Sequence, residues 1–227
     1  MLTAAALLPA IVLMVYIYKK DRVEKEPLWL LGKIFLFGMI STVPTIVTEL
    51  VLERALGRIC TSDSPMFIVL EAFVVVALTE EFWKRWAVRR AAWKSREFNY
   101  RFDAYVYCAF SALGFAALEN ILYVFENGMR TAVVRAFTAV PSHAIDGVIM
   151  GAFLGEAKLW ERRGNERRKK RYMRLALIMP AVCHGVYDYS LMAGSALMSL
   201  FFIVFVVSVD IWAIRHIRWE ARQDHRI

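Results

Sequence analysis

Cysteine is scarce in this chain, with Cys60, Cys108 and Cys183 its only three. None stands in a C-x-x-C spacing, so neither a disulfide framework nor a thiolate zinc site is indicated. No basic stretch precedes the first apolar run, Leu2 to Tyr18, and no small-residue cleavage site follows it. That run therefore reads as a retained anchor and not as a signal peptide. Internal repeats, linkers and low-complexity segments are absent too. Room for a separate soluble enzyme is also lacking. Seven spans of about 20 residues would take about 140 positions, and the remainder suffices only for loops and tails. Residues 1–227 then form one integral-membrane domain.

What the chain has in excess is apolar sequence. Hydrophobic residues make up 59% of it, and the mean hydropathy is +0.43 although 22% of residues are charged. That much apolar surface exceeds what a water-soluble core needs, so it is gathered into long runs. After the first run, further ones fall at 28–52, 65–88, 103–127, 132–157, 173–192 and 193–214. The expected fold is all-α: a polytopic membrane bundle of about seven helices. Only Ala193-Gly194-Ser195 separates the last two runs, which predicts a tight helical hairpin. Pro9, Pro44, Pro141 and Pro180 lie inside runs, where neighbouring helices can satisfy the freed backbone groups.

Charge sets the expected orientation. Of 29 Lys and Arg residues, 24 fall in segments 19–27, 84–101 and 158–174 and in the tail from Arg215. The opposite side keeps Arg54, Arg58 and Arg130, with Lys33 and Arg135 inside or beside spans. The rich loops belong in the cytoplasm, which puts the N-terminus outside and the C-terminus inside. The net charge of +8 is thereby explained by orientation and by contact with anionic lipid headgroups. Nucleic acid is not expected as a partner, because no aromatic-interleaved basic module accompanies the charge.

Ionisable residues inside hydrocarbon are costly and mark function by default. Lys33 and Asp210 sit near span ends and can snorkel, Glu49 can reach interfacial water, and Glu71 reads as a buried neutral acid. The remainder form a constellation. Thr79-Glu80-Glu81-Phe82-Trp83-Lys84 is in the third span, and Phe115-Ala116-Ala117-Leu118-Glu119-Asn120 in the fourth. Ser142-His143-Ala144-Ile145-Asp146-Gly147 is in the fifth, and His184-Gly185-Val186-Tyr187-Asp188 in the sixth. At about 1.5 Å per residue, all four motifs come within about 5 Å of the midplane. Glu80 and Lys84 share a helix face, as do His184 and Asp188. Glu80 and Glu81, about 100° apart, cannot point the same way. Interhelical hydrogen bonds that glue the bundle would explain one such residue. Four consecutive spans at one depth favour a reaction centre.

These motifs resemble those of the PrsW family of bacterial intramembrane proteases: Glu-Glu-x-x-Lys, Phe-x-x-x-Glu-Asn, a His with a Gly four residues on, and His-Gly-x-Tyr-Asp. The resemblance covers nearly the whole chain. It implies a multi-pass protein of the bacterial cell membrane that makes the first cut in a single-pass anti-sigma factor. That cut starts regulated intramembrane proteolysis and frees a stress sigma factor. By the same resemblance Glu80, Glu81 and His184 match residues needed for activity; from their spacing, Lys84, Asn120 and Asp188 read as supporting residues. A more distant likeness is to the CAAX prenyl-protease superfamily, where Glu119 stands in the place of a His.

The residues permit two chemistries for peptide hydrolysis. No Ser or Cys lies beside a His with a third orienting group, which removes covalent catalysis. In one version His143, His184 and Glu119 bind zinc, and Glu80 or Glu81 is the general base. In the other, a Glu and a His activate water directly and the second His donates to the oxyanion. His-Glu-x-x-His is absent, so a zinc site would rest on residues brought together by the fold. In either version Asn120 should bond a neighbouring helix, and Asp188 should hold the His184 imidazole. A transporter or ion-binding protein would also carry midplane charges, but repeat symmetry is missing. The last span has no lysine for a Schiff base, which removes a retinal protein.

Overall fold

The computed structural model describes residues 1–62 and 64–227. The bundle is helical nearly throughout. Helix α1 covers Leu2–Lys20 and α2 covers Leu28–Leu56. A third rod is built of α3 (Pro65–Leu70), a π-helical segment (Glu71–Ala77) and α4 (Leu78–Ala92). Then follow α5 (Asp103–Asn127), α6 (Met129–Phe137), α7 (Ala139–Arg162), α8 (Glu166–Met192) and α9 (Ala196–Glu220). Among the described residues six helical stretches are long and apolar enough to cross a membrane, and the three-part rod supplies the remaining run read from sequence. This is an all-α polytopic membrane bundle.

The sequence signals at the helix ends act as expected. Ser64, Asn165 and Ser195 each accept a hydrogen bond from a main-chain N–H three residues on, at 3.0–3.2 Å, which satisfies a donor with no partner inside the helix. Gly194, at φ +62°, makes the turn of the α8–α9 hairpin, a conformation that costs glycine nothing. Tyr187 and Phe202 then meet edge to face at 5.0 Å across the two helices.

The fifth run starts later than the sequence indicates. Instead of one helix from residue 132, α6 ends at Phe137, Thr138 breaks it at φ −125°, ψ −78°, and α7 begins at Ala139. Pro141 explains the break. A helix running through would need the 141 N–H to reach the carbonyl of Phe137, and proline has none.

Helix α5 is the axis of the bundle, buried on every side from Asp103 to Ala117. Glycines let its neighbours approach without side-chain spacers. A Cβ at Gly38 of α2 would overlap the Ser111 carbonyl, and one at Gly114 of α5 would overlap that of Phe35. Helix α7 approaches the same way, where a Cβ at Gly147 would sit 2.8 Å from the Cys108 carbonyl oxygen. Close backbone contact replaces the hydrophobic drive that lipid cannot supply. Helices α1 and α9 lie outside this core and present Leu8, Ile11, Val12, Leu200, Ile203 and Val204 outward, as lipid-facing surfaces do.

Candidate metal centre and active site

The four motifs meet. Helix α4 brings Glu80, Glu81 and Lys84, α5 brings Glu119 and Asn120, α7 brings His143 and Asp146, and α8 brings His184 and Asp188. Ser111 Oγ of α5 donates to the Lys84 carbonyl at 3.0 Å and fixes α4 in depth. Phe73 of the π segment fills the space that Gly185 leaves beside His184. The wider π turn thus seats the third rod against α8.

Glu80, Glu81, His143 and His184 are all buried, and each offers a ligand atom within 4.8 Å of the other three. At the centre is Lys84, whose side chain is fully buried. Its Nζ donates to Glu80 Oε2 at 2.8 Å and to Glu81 Oε1 at 2.7 Å. It lies 2.9 Å from His143 Nδ1 and 4.4 Å above the Phe115 ring. An ammonium has only protons to offer, so His143 Nδ1 accepts. The proton of that imidazole is then on Nε2, which donates to Glu119 Oε2 at 2.9 Å. His184 Nδ1 faces Glu81 Oε1 at 3.2 Å and Asp146 Oδ2 at 3.6 Å, and its Nε2 lies 3.2 Å from Asp188 Oδ2. The two imidazoles pack edge to face at 5.4 Å.

The expected residues therefore fall into one site, with a different place for Glu119, and Glu80 and Glu81, expected to point apart, both reach Lys84. Glu119 lies outside the set of four; besides His143, it takes an ion pair from Arg135 of α6 at 2.5 Å. Asn120 bonds a neighbouring helix as expected, donating to the Ala6 carbonyl at 2.8 Å, and also accepts from Arg135 Nε at 2.8 Å. Asp188 is placed against His184, again as expected. Two participants were not singled out from sequence. Arg135 reads there only as a basic residue beside a span, because it lies 15 residues beyond Asn120, on the next helix. Asp146 stands in a quoted motif but was given no role.

The chemistry of the donors suits a cation. Among the described residues Glu81 Oε2 and both Asp146 oxygens are buried without a hydrogen-bond partner, an arrangement that is expensive unless something positive compensates it. Two imidazoles and two carboxylates are also the ligand types that zinc takes. Beside the cluster lies a cavity of about 500 Å³, reached by Glu49, Glu80, Glu119, His143, His184 and Asp188. Glu49, read from sequence as interfacial, lines this cavity with one oxygen buried and unpartnered. Tyr123, Arg135 and Met192 are among its other walls, so the cavity is on the side away from the Lys/Arg-rich loops.

Comparison with known proteins agrees with this site. The model of the PrsW family intramembrane metalloprotease matches residues 26–212. The chain is 34% identical to Protease PrsW of Oceanobacillus iheyensis, covering 95% of this chain and 94% of that protein. It is 38% identical to Protease PrsW of Geobacillus kaustophilus, over 85% and 80%, and 33% identical to that of Bacillus subtilis, over 85% and 83%. No solved structure matches. With a match that takes in all four motifs and a buried Glu/Glu/His/His cluster able to hold a metal, the chain belongs to the PrsW family of intramembrane metalloproteases.

Proposed function

We propose that this chain makes the site-1 cut in a single-pass membrane anti-sigma factor, which starts regulated intramembrane proteolysis and releases a stress sigma factor. The observation that carries this reading is the buried four-ligand cluster beside a cavity open to one side of the bundle. Under the positive-inside rule that side is the exterior, with seven spans, the N-terminus outside and the C-terminus cytoplasmic. A first cut near the outer part of a substrate span suits such a cavity.

Glu80, Glu81 and His184 carry the reaction in this proposal. Glu80 borders the cavity and takes the proton from the attacking water. Asp188 lies against Nε2 of His184 and Glu81 against its Nδ1, which fixes that ring beside the base, and Glu80 passes its proton on to the leaving amine. Arg135 and Glu119 fix the ring of His143 through its Nε2–H. Lys84 and Asn120 support this frame by charge and by helix contact. Of the four, Glu81, His143 and His184 would hold a zinc ion and leave Glu80 free as the base, with Glu119 gripping His143 from behind. When bound, the ion supplies Lewis-acid polarisation of the scissile carbonyl.

The test is cleavage of a co-expressed single-pass substrate in membranes. Glu80→Gln, Glu81→Gln and His184→Ala should each lower it about 10²-fold or more while the protein still accumulates. Full cleavage by the Glu80→Gln/Glu81→Gln double variant would overturn the proposal.

A further inference from the structure

A second concave surface lies at the other end of α4. A cavity of about 750 Å³ runs between the first turns of α2 and the last turns of α4, lined by Lys33, Arg85, Arg89, Arg90 and Lys94. No carboxylate lines it. Among the described residues none of these five cations forms an ion pair. Lys33 and Arg85 donate only to main-chain carbonyls, those of Ala91 at 3.2 Å and Met173 at 2.6 Å. Arg89, Arg90 and Lys94 are exposed. Five like charges around one concavity repel one another, and a concave wall of low dielectric focuses their field on whatever enters.

The same groove has an aromatic wall. Trp29, Phe82 and Trp86 line it and are 64%, 43% and 37% exposed. Trp86 is braced by Phe37 and Trp83 at 6.1 and 5.6 Å, so it stands as a fixed surface. Tryptophan at this level is at home where headgroups meet acyl chains. A free phosphate would use the cations and leave these rings unused, whereas a phospholipid uses both.

We propose that this groove binds one anionic phospholipid, its phosphate among Arg89, Arg90 and Lys94 and an acyl chain along Trp86 and Phe82. The ligand would bracket α2 to α4 on the helix that also carries Glu80, Glu81 and Lys84. This site does not depend on the protease reading.

Native mass spectrometry of the full chain in mild detergent tests it, with dioleoyl-phosphatidylglycerol, dioleoyl-phosphatidylcholine or inorganic phosphate added separately. One phosphatidylglycerol should stay bound per chain, and phosphatidylcholine and phosphate should be stripped. The variant Arg89→Gln/Arg90→Gln/Lys94→Gln should lose retention by at least about 10-fold. Arg167→Gln/Arg168→Gln/Arg171→Gln removes the same charge from another basic segment and should retain the lipid as the parent does. Equal loss in both triple variants would mean diffuse attraction and end the proposal. Equal retention of the two lipids by the unaltered chain would end it too, independently of how any variant folds. Phosphate held as tightly as the lipid would replace the phospholipid with a free anion.

Discussion

Lys84 is where the buried charges of the site converge. Its ammonium occupies lone pairs of Glu80, Glu81 and His143 at 2.7–2.9 Å, so a metal ion held by Glu81 and His143 would compete with it for both. Lys84→Met leaves two carboxylates facing each other in a low-dielectric site. Removing one partner of a buried ion pair costs on the order of 3–5 kcal/mol, and the variant should melt well below the parent in nanodiscs. If a divalent cation takes the same lone pairs, added zinc should raise the melting temperature of Lys84→Met more than that of the parent. Equal shifts would show that the lysine and the metal do not share a place. At this scale sequence spacing brought Glu80, Glu81, His143 and His184 to one depth, because depth depends only on helical rise. It did not reveal that Glu119 grips His143 from behind, since that depends on how far α5 is rotated against α7. Nor did it reveal the grip of Arg135, because that depends on how the turn at Gly128 sets α6 against α5.

Among the elements, α5 decides how precisely the others meet. Its crossings with α2 and α7 are backbone against backbone, and no side chain there can yield to an added atom. Gly38→Leu or Gly114→Leu should therefore cost at least about 1–3 kcal/mol of overpacking and lower the melting temperature. Gly32→Leu on α2, where a Cβ meets nothing within 4 Å, should leave it unchanged. A fall of the same size for Gly32→Leu would mean that close approach does not set the cost, since helix propensity alone favours leucine over glycine. Apolar runs and caps made the long helices legible from sequence to within a few residues. The π segment at Glu71–Ala77 was not legible, because a widened turn leaves no compositional mark. It arises from the fit of Phe73 against Gly185, two residues that sequence alone does not bring together.

At the scale of the whole molecule the charge is divided end from end. Lys84 apart, the segments holding 24 of the 29 Lys and Arg residues lie at one end, and the cavity beside the site opens toward the other. A reporter fused after Ile227 should be cytoplasmic and one inserted near Ser62 should be external. Both on the same side would refute the seven-span arrangement. The contacts around α5 also divide the molecule into a part that has clearance and a part that has none. Where α2, α5 and α7 touch through glycine, sliding by even one atom's width meets main chain. Helix α6 is held differently, by Ala132 among small residues and by Arg135 on Glu119 and Asn120, and it is uncoupled from α7 by the missing hydrogen bond at Pro141. A guest segment wide enough to need extra room at the cavity would find it by displacing α6, with His143 left in register on its own unbroken helix. The same arginine that steadies His143 at rest is thus also the latch such a guest would have to loosen.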